Sequence, residues 1–143
     1  MGLWFLPKEK GRLVKLRNVI GSLREKAKEA RTKAYAPYSG FQVGACALGV
    51  NADGEHVYAL GANIEAACSS VGVCAERVAI SALLMQGVKP SIVCIDAESD
   101  KVTPCGVCLQ FMNEWRPTIV TPSGFANFAS LLPRPYQGRR PKL

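Results

Sequence analysis

No apolar run reaches the roughly eighteen residues that a membrane helix needs, so no membrane partner is expected. Low-complexity segments and internal repeats are absent. Histidine occurs once, at His56. Basic residues are scarce in the middle of the chain: residues 34–133 hold four Lys or Arg against eight Asp or Glu. The net charge of +7 therefore belongs to the ends. Residues 1–33 carry ten basic and three acidic groups, and residues 134–143 carry four basic groups and no acid. Basic ends can engage nucleic acid or another anionic surface. Alternating Lys and Glu on a helix more often form a solvated face, and that reading is preferred here. Met1–Leu6 is apolar but too short, and wrongly flanked, for a signal peptide. Six cysteines without a leader fit reduced thiols in the cytoplasm better than a secreted disulfide framework. The length of 143 residues suits one domain with a real core.

What the chain does have is two cysteine clusters thirty-one positions apart. One is Cys74-Ala75-Glu76-Arg77; the other is Pro104-Cys105-Gly106-Val107-Cys108. Cys105 and Cys108 have the spacing with which two thiolates grip one ion from a tight turn. Cys74 would complete a set of three from elsewhere in the fold. Three protein ligands leave a catalytic zinc its fourth position for water. Glu76 is placed to handle protons rather than to ligate. Two other readings stay open on the residues alone. The cysteines could be buried packing, or a closed structural zinc could draw its fourth ligand from His56 or Cys68. Cys46 and Cys94 lie in apolar runs and read as core.

The periodicities predict the scaffold. Leu13, Leu16, Ile20, Leu23, Ala27, Ala30 and Ala34 form one face of an amphipathic helix ended by Pro37. Gly21 marks either a bend or a true start at Ser22. Phe41–Val50 and residues 56–60 read as a hairpin about the Asn51-Ala52-Asp53-Gly54 turn. His56 sits beside that turn, and no role is assigned to it. Residues 75–86 read as a helix apolar nearly all round, hence buried. Residues 91–95 and 118–121 read as short strands, and 105–115 and 125–132 as helices. This order predicts an α/β fold, a three-layer α/β/α domain with a mixed sheet of four or five strands. The organisation expected is an N-terminal extension (1–12), one domain (13–133) and a basic tail (134–143).

Cys-Ala-Glu-Arg followed by Pro-Cys-x-x-Cys resembles the cytidine deaminase family, in its small, three-cysteine, free-nucleoside branch. Two further stretches carry the resemblance: Ala36-Pro37-Tyr38-Ser39-Gly40-Phe41-Gln42-Val43-Gly44-Ala45 and Gly61-Ala62-Asn63-Ile64-Glu65. It covers roughly residues 13 to 136. The resemblance implies a Zn2+ cofactor held by Cys74, Cys105 and Cys108. It implies hydrolytic deamination of cytidine and deoxycytidine in pyrimidine salvage, with water activated at zinc attacking carbon 4 of the ring. Glu76 is then the catalytic base and acid, and Arg77 supports the ligand thiolates. Asn63 and Glu65 bind the ribose, Phe41 packs on the base, and the Ala75 amide meets the ring carbonyl. The segment 131–136 resembles one whose final aromatic completes a neighbouring subunit's site. Tyr136 is its counterpart, which implies a homotetramer.

Ala66, Ser69 and Leu109 depart from the family's usual asparagine, aromatic and arginine. A smaller Ser69 leaves room for a modified nucleoside, so a deaminase of a modified cytosine nucleoside or nucleoside antibiotic is the first alternative. A nucleic-acid editing deaminase is the second; Cys74 stands where that branch usually has histidine. A non-catalytic zinc-stabilised scaffold is the third, and such a protein has no use for an unligated Glu76.

Overall fold

The computed structural model describes residues 7–138, with side chains from residue 15 onward. The signal-peptide reading of Met1–Leu6, the placement of the Leu13 side chain and the last five residues of the basic tail lie outside the described residues. Helix α1 spans Pro7–Arg31 and leads into a hairpin of β1 (Val43–Val50) and β2 (His56–Ala62). Then follow α2 (Ala75–Met85), β3 (Ile92–Ala97), α3 (Gly106–Met112), β4 (Thr118–Thr121), β5 (Gly124–Ala126) and α4 (Phe128–Leu131). The five strands form one sheet in the order β2-β1-β3-β4-β5. β3 and β4 run parallel and the other neighbours antiparallel, so the sheet is mixed as expected.

β1 is the central plank, and its residues alternate between two cores. Cys46 and Leu48 face α1, where they meet Leu23, Ala27, Cys94 and Val120. Ala45 and Ala47 face the other way, onto Ala79, Ile80 and Leu83 of α2 and Cys108 and Met112 of α3. That alternation makes three layers from one strand with side-chain period two. Burying Ile80 or Leu83 fully is worth about 1.5–3 kcal/mol each. Burial pushes the thiol of Cys46 up to about 12 and that of Cys94 up to about 11. Both are core residues that keep their protons.

Two glycines let the helices come close. A Cβ on Gly44 would strike the Ala27 carbonyl and the Arg31 backbone of α1. A Cβ on Gly61 would strike the Ala75 carbonyl and the Ala79 backbone of α2. Each helix is thus seated on backbone, one per face of the sheet.

Five local expectations are corrected. α1 continues through Gly21 without a restart, because an exposed glycine with nothing near its Cα costs a helix only about 1 kcal/mol. Leu16 is exposed, not part of the packed face. α2 is buried on one side only: Ala75, Glu76, Ala79, Ile80 and Leu83 are inside, while Met85 is exposed. The helix expected over 125–132 is instead a strand followed by one helical turn. Pro122 and Ser123 reverse the chain, Thr121 Oγ1 donates to the Gly124 carbonyl at 3.0 Å, and Gly124–Ala126 pairs with β4. α3 also stops at Met112, three residues before Trp115.

Candidate metal and active site

The two cysteine clusters sit where α2 and α3 begin. Cys74 is the residue before the first turn of α2, and Cys105 holds the same place on α3. Each starts its helix with its own carbonyl: Cys74 accepts from Arg77 and Val78 N–H at 3.1 and 3.2 Å, and Cys105 from Leu109 N–H at 2.9 Å. Cys108 follows one turn on and is buried. The three sulfurs lie within 4.8 Å of one another, with Cys74 and Cys105 at 3.6 Å. Tetrahedral ligands at about 2.3 Å from zinc stand about 3.8 Å apart, so the trio fits that ion.

The electrostatics fit as well. Hydrogen bonding from Cys108, and then from Cys105, lowers the Cys74 thiol to about 5, with Arg77 helping. The hydrogen bond to Cys74, then burial and the Glu76 charge, hold Cys108 well above its ordinary value. A thiol that gives up its proton readily, with two more sulfurs within 4.8 Å of it, suits a metal. Arg77 donates from Nη2 to the Gly72 carbonyl at 3.2 Å. Its buried Nε–H has no hydrogen-bond partner among the described residues. Burial works against the Arg77 charge, but bonding to Cys74 and Cys108 outweighs it. That cation is the offset an anionic trithiolate set needs.

Glu76, in the first turn of α2, is only 4% exposed, although it is charged in water. Burial, with the nearby Cys74 charge, pushes its carboxyl up to about 7. It lines a hollow of about 240 Å³ together with Phe41, Asn63, Glu65, Ala75, Cys74 and Cys105. A second hollow of about 480 Å³ shares Ser39, Asn63, Glu65, Cys74 and Cys105, and extends over Ala66, Ser69 and Arg77. Of the two, only the smaller reaches Glu76, and both are bounded by Cys74 and Cys105.

A chain of backbone pairings brings these parts together. Ile64 exchanges two 2.9 Å bonds with Val73, placing the 63–65 segment against the residue before Cys74. Asn63 accepts from Val43 N–H at 2.8 Å and donates to the Phe41 carbonyl at 2.9 Å. The Glu65 carboxylate accepts on Oε2 from the N–H groups of Tyr38 and Ser39, at 2.9 and 3.1 Å, and on Oε1 from the Ser39 hydroxyl. Those bonds, the Ser39 hydroxyl first, hold Glu65 below the usual carboxylate range. Asn63 and Glu65 are therefore struts for the Phe41 loop as well as cavity walls.

Seven residues expected at one site thus meet around the two hollows: Phe41, Asn63, Glu65, Cys74, Ala75, Glu76 and Cys105. Cys108 joins them by its sulfur, and Arg77 lies behind Cys74. Tyr136 does not: it is exposed and lines neither hollow of this chain. Its backbone is held twice by Gln110 of α3, whose side-chain amide donates to the Tyr136 carbonyl and accepts from its N–H, both at 2.9 Å. Gln110 and Ser39 carry these contacts unseen in the sequence: Ser39 lies within a family-like stretch, but neither residue's partner is near it in the chain. Leu109 is a core residue, and Cys68 is exposed and outside the sulfur trio.

A mixed α/β sheet, three converging thiols at helix starts and a buried free carboxylate define a zinc-dependent hydrolytic enzyme. The profile of the cytidine and deoxycytidylate deaminase zinc-binding region matches residues 19–121. A cytidine deaminase of Halalkalibacterium halodurans is 42% identical over 98 residues, 66% of this chain and 70% of that one. One from Sporosarcina psychrophila is 38% identical over 99 residues, 67% and 69% of the two chains. The crystal structure of cytidine deaminase from Burkholderia pseudomallei superposes with a TM-score of 0.68 at 35% identity, covering 81% of this chain and 98% of that one. The chain belongs to the zinc-binding cytidine and deoxycytidylate deaminase family.

Zinc loading must remove the proton that Cys108 retains. Between pH 6 and 8, above the Cys74 value of about 5, apparent zinc affinity therefore rises at least about tenfold per pH unit. Competition with a chromophoric chelator measures this; an affinity flat across that window contradicts it.

Proposed function

We propose that this chain deaminates cytidine and deoxycytidine hydrolytically, giving uridine or deoxyuridine and ammonia. The carrying observation is the convergence of three sulfurs with the buried, unligated Glu76 in one cavity. Cys74, Cys105 and Cys108 would hold zinc, which when bound supplies a Lewis acid that makes water nucleophilic at neutral pH. Glu76 takes a proton from the attacking water and delivers it to ring nitrogen 3. It then helps protonate the departing amine. One carboxylate serves both steps because it is buried, close to the metal ligands and free of the metal.

The remaining residues bind and orient. Phe41, 40% exposed and part of the cavity wall, packs on the base. Ala75 is the first residue of α2, so its N–H has no acceptor within the helix and is free for the ring carbonyl. Asn63 has one N–H and one lone pair left after its backbone bonds, and Glu65 has one acceptor position left of about four. Together they read a sugar hydroxyl. Arg77 steadies the thiolates.

We also infer a homotetramer working on free nucleosides in the cytoplasm. Six free cysteines support a reducing compartment, and among the described residues no helix is long and apolar enough to cross a membrane. Tyr136 and Met85, 78% and 88% exposed, support burial against neighbouring copies. Sedimentation of the zinc-loaded protein should give four chains per particle; a monomer at micromolar concentration contradicts that assembly.

Glu76→Gln removes the proton carrier and leaves the sulfur trio. Zinc content per chain stays at the wild-type value, while turnover of cytidine falls by about 10²–10⁴-fold or more. Ammonia release near the wild-type rate would refute the mechanism.

A further inference from the structure

Glu65 lies on a loop, and a half-exposed carboxylate turns freely unless something aims it. Ser39 is the group that meets it from the opposite loop. A serine hydroxyl has one proton to give and lone pairs to receive with. Here the backbone N–H of Phe41 donates to Ser39 Oγ at 3.0 Å, which fixes the oxygen's lone pair. The hydroxyl proton is then committed to Glu65 Oε1. The other carboxylate oxygen, Oε2, is taken by two backbone N–H groups. Three of about four acceptor positions are filled, and the one left open is on the oxygen that Ser39 controls.

We propose that Ser39 is a positioning residue for sugar recognition: its hydroxyl, fixed by the Phe41 amide, turns Glu65 so that a single acceptor faces the cavity. The inference rests on the reading of Glu65 as the acceptor for a substrate hydroxyl. Ser39 is not needed merely to hold its loop. Gly40 N–H already bonds the Ala36 carbonyl at 3.0 Å, Glu65 N–H bonds the Tyr35 carbonyl at 2.8 Å, and the Tyr38 and Ser39 amides bond Oε2. Ser39 also borders both hollows, so its effect is exerted at their junction. By linking Phe41 to Glu65, it ties the base-packing ring to the sugar-reading group.

The test compares Ser39→Ala with wild type on two ligands. With cytidine, kcat/KM falls about tenfold, the scale of one lost hydrogen bond to a charged group. With 2′,3′-dideoxycytidine, which lacks the 2′- and 3′-hydroxyls that Glu65 is read to accept from and keeps only the 5′-hydroxyl, the inhibition constant against cytidine rises less than about threefold. The melting temperature, read alongside, stays close to that of wild type. Equal losses on both ligands, or no loss on cytidine, overturn the positioning role. Glu65→Gln is measured in the same way. If it too weakens both ligands alike, the sugar assignment itself fails. If it is selective for cytidine while Ser39→Ala is not, only the role of Ser39 fails.

Discussion

Three sulfurs that would repel one another as thiolates must stay within reach of one ion. The structure meets that demand with backbone rather than with side-chain bulk. α2 and α3 both begin at the same edge of the sheet, and each begins on a cysteine. α2 is seated there because Gly61 lets its first turn rest on β2. α3 is seated by Cys108, Leu109 and Met112, which enter the core shared with Ala45 and Ala47. Core packing thereby sets the Cys74–Cys105 approach.

Charge compensation follows from the same layout. The start of a helix carries partial positive charge, which favours thiolates, and Arg77 adds a full charge from the next residue but two. Glu76 sits between these influences. Its position one residue from Ala75 gives it a place in the cavity wall, while burial makes it hold a proton more readily than a surface glutamate does. In the proposed reading the same turn of helix supplies a ligand, a backbone donor, a proton carrier and a counter-charge. A one-residue shift of the α2 start would disperse all four.

Much of this was legible from the residues. Cysteine spacing is a local property, and so are the unbroken apolar run of β1, which is buried on both faces, and the helix periods. The candidate site residues could be named because short motifs hold them, and the structure brings seven of them around one pair of hollows. Contacts made across the fold were not legible. Nothing near Ser39 signals that its hydroxyl meets Glu65, twenty-six positions away, and Gln110 gives no sign of holding Tyr136. Gly44 and Gly61 look like ordinary motif glycines until two helices are laid over them. The sequence left the count open between four strands and five, because the last one is three residues long and follows a two-residue turn, too short for alternation to show. Met85 belongs to the same class: on a helix apolar all round, periodicity does not say which side meets the sheet.

The account stands on one ion shared by three sulfurs with a fourth position free for solvent. X-ray absorption at the zinc edge of the loaded protein measures that directly. The predicted result is three sulfur neighbours at about 2.3 Å and one oxygen or nitrogen at about 2.0–2.2 Å. Four sulfur neighbours, or a purely oxygen and nitrogen shell, would contradict it.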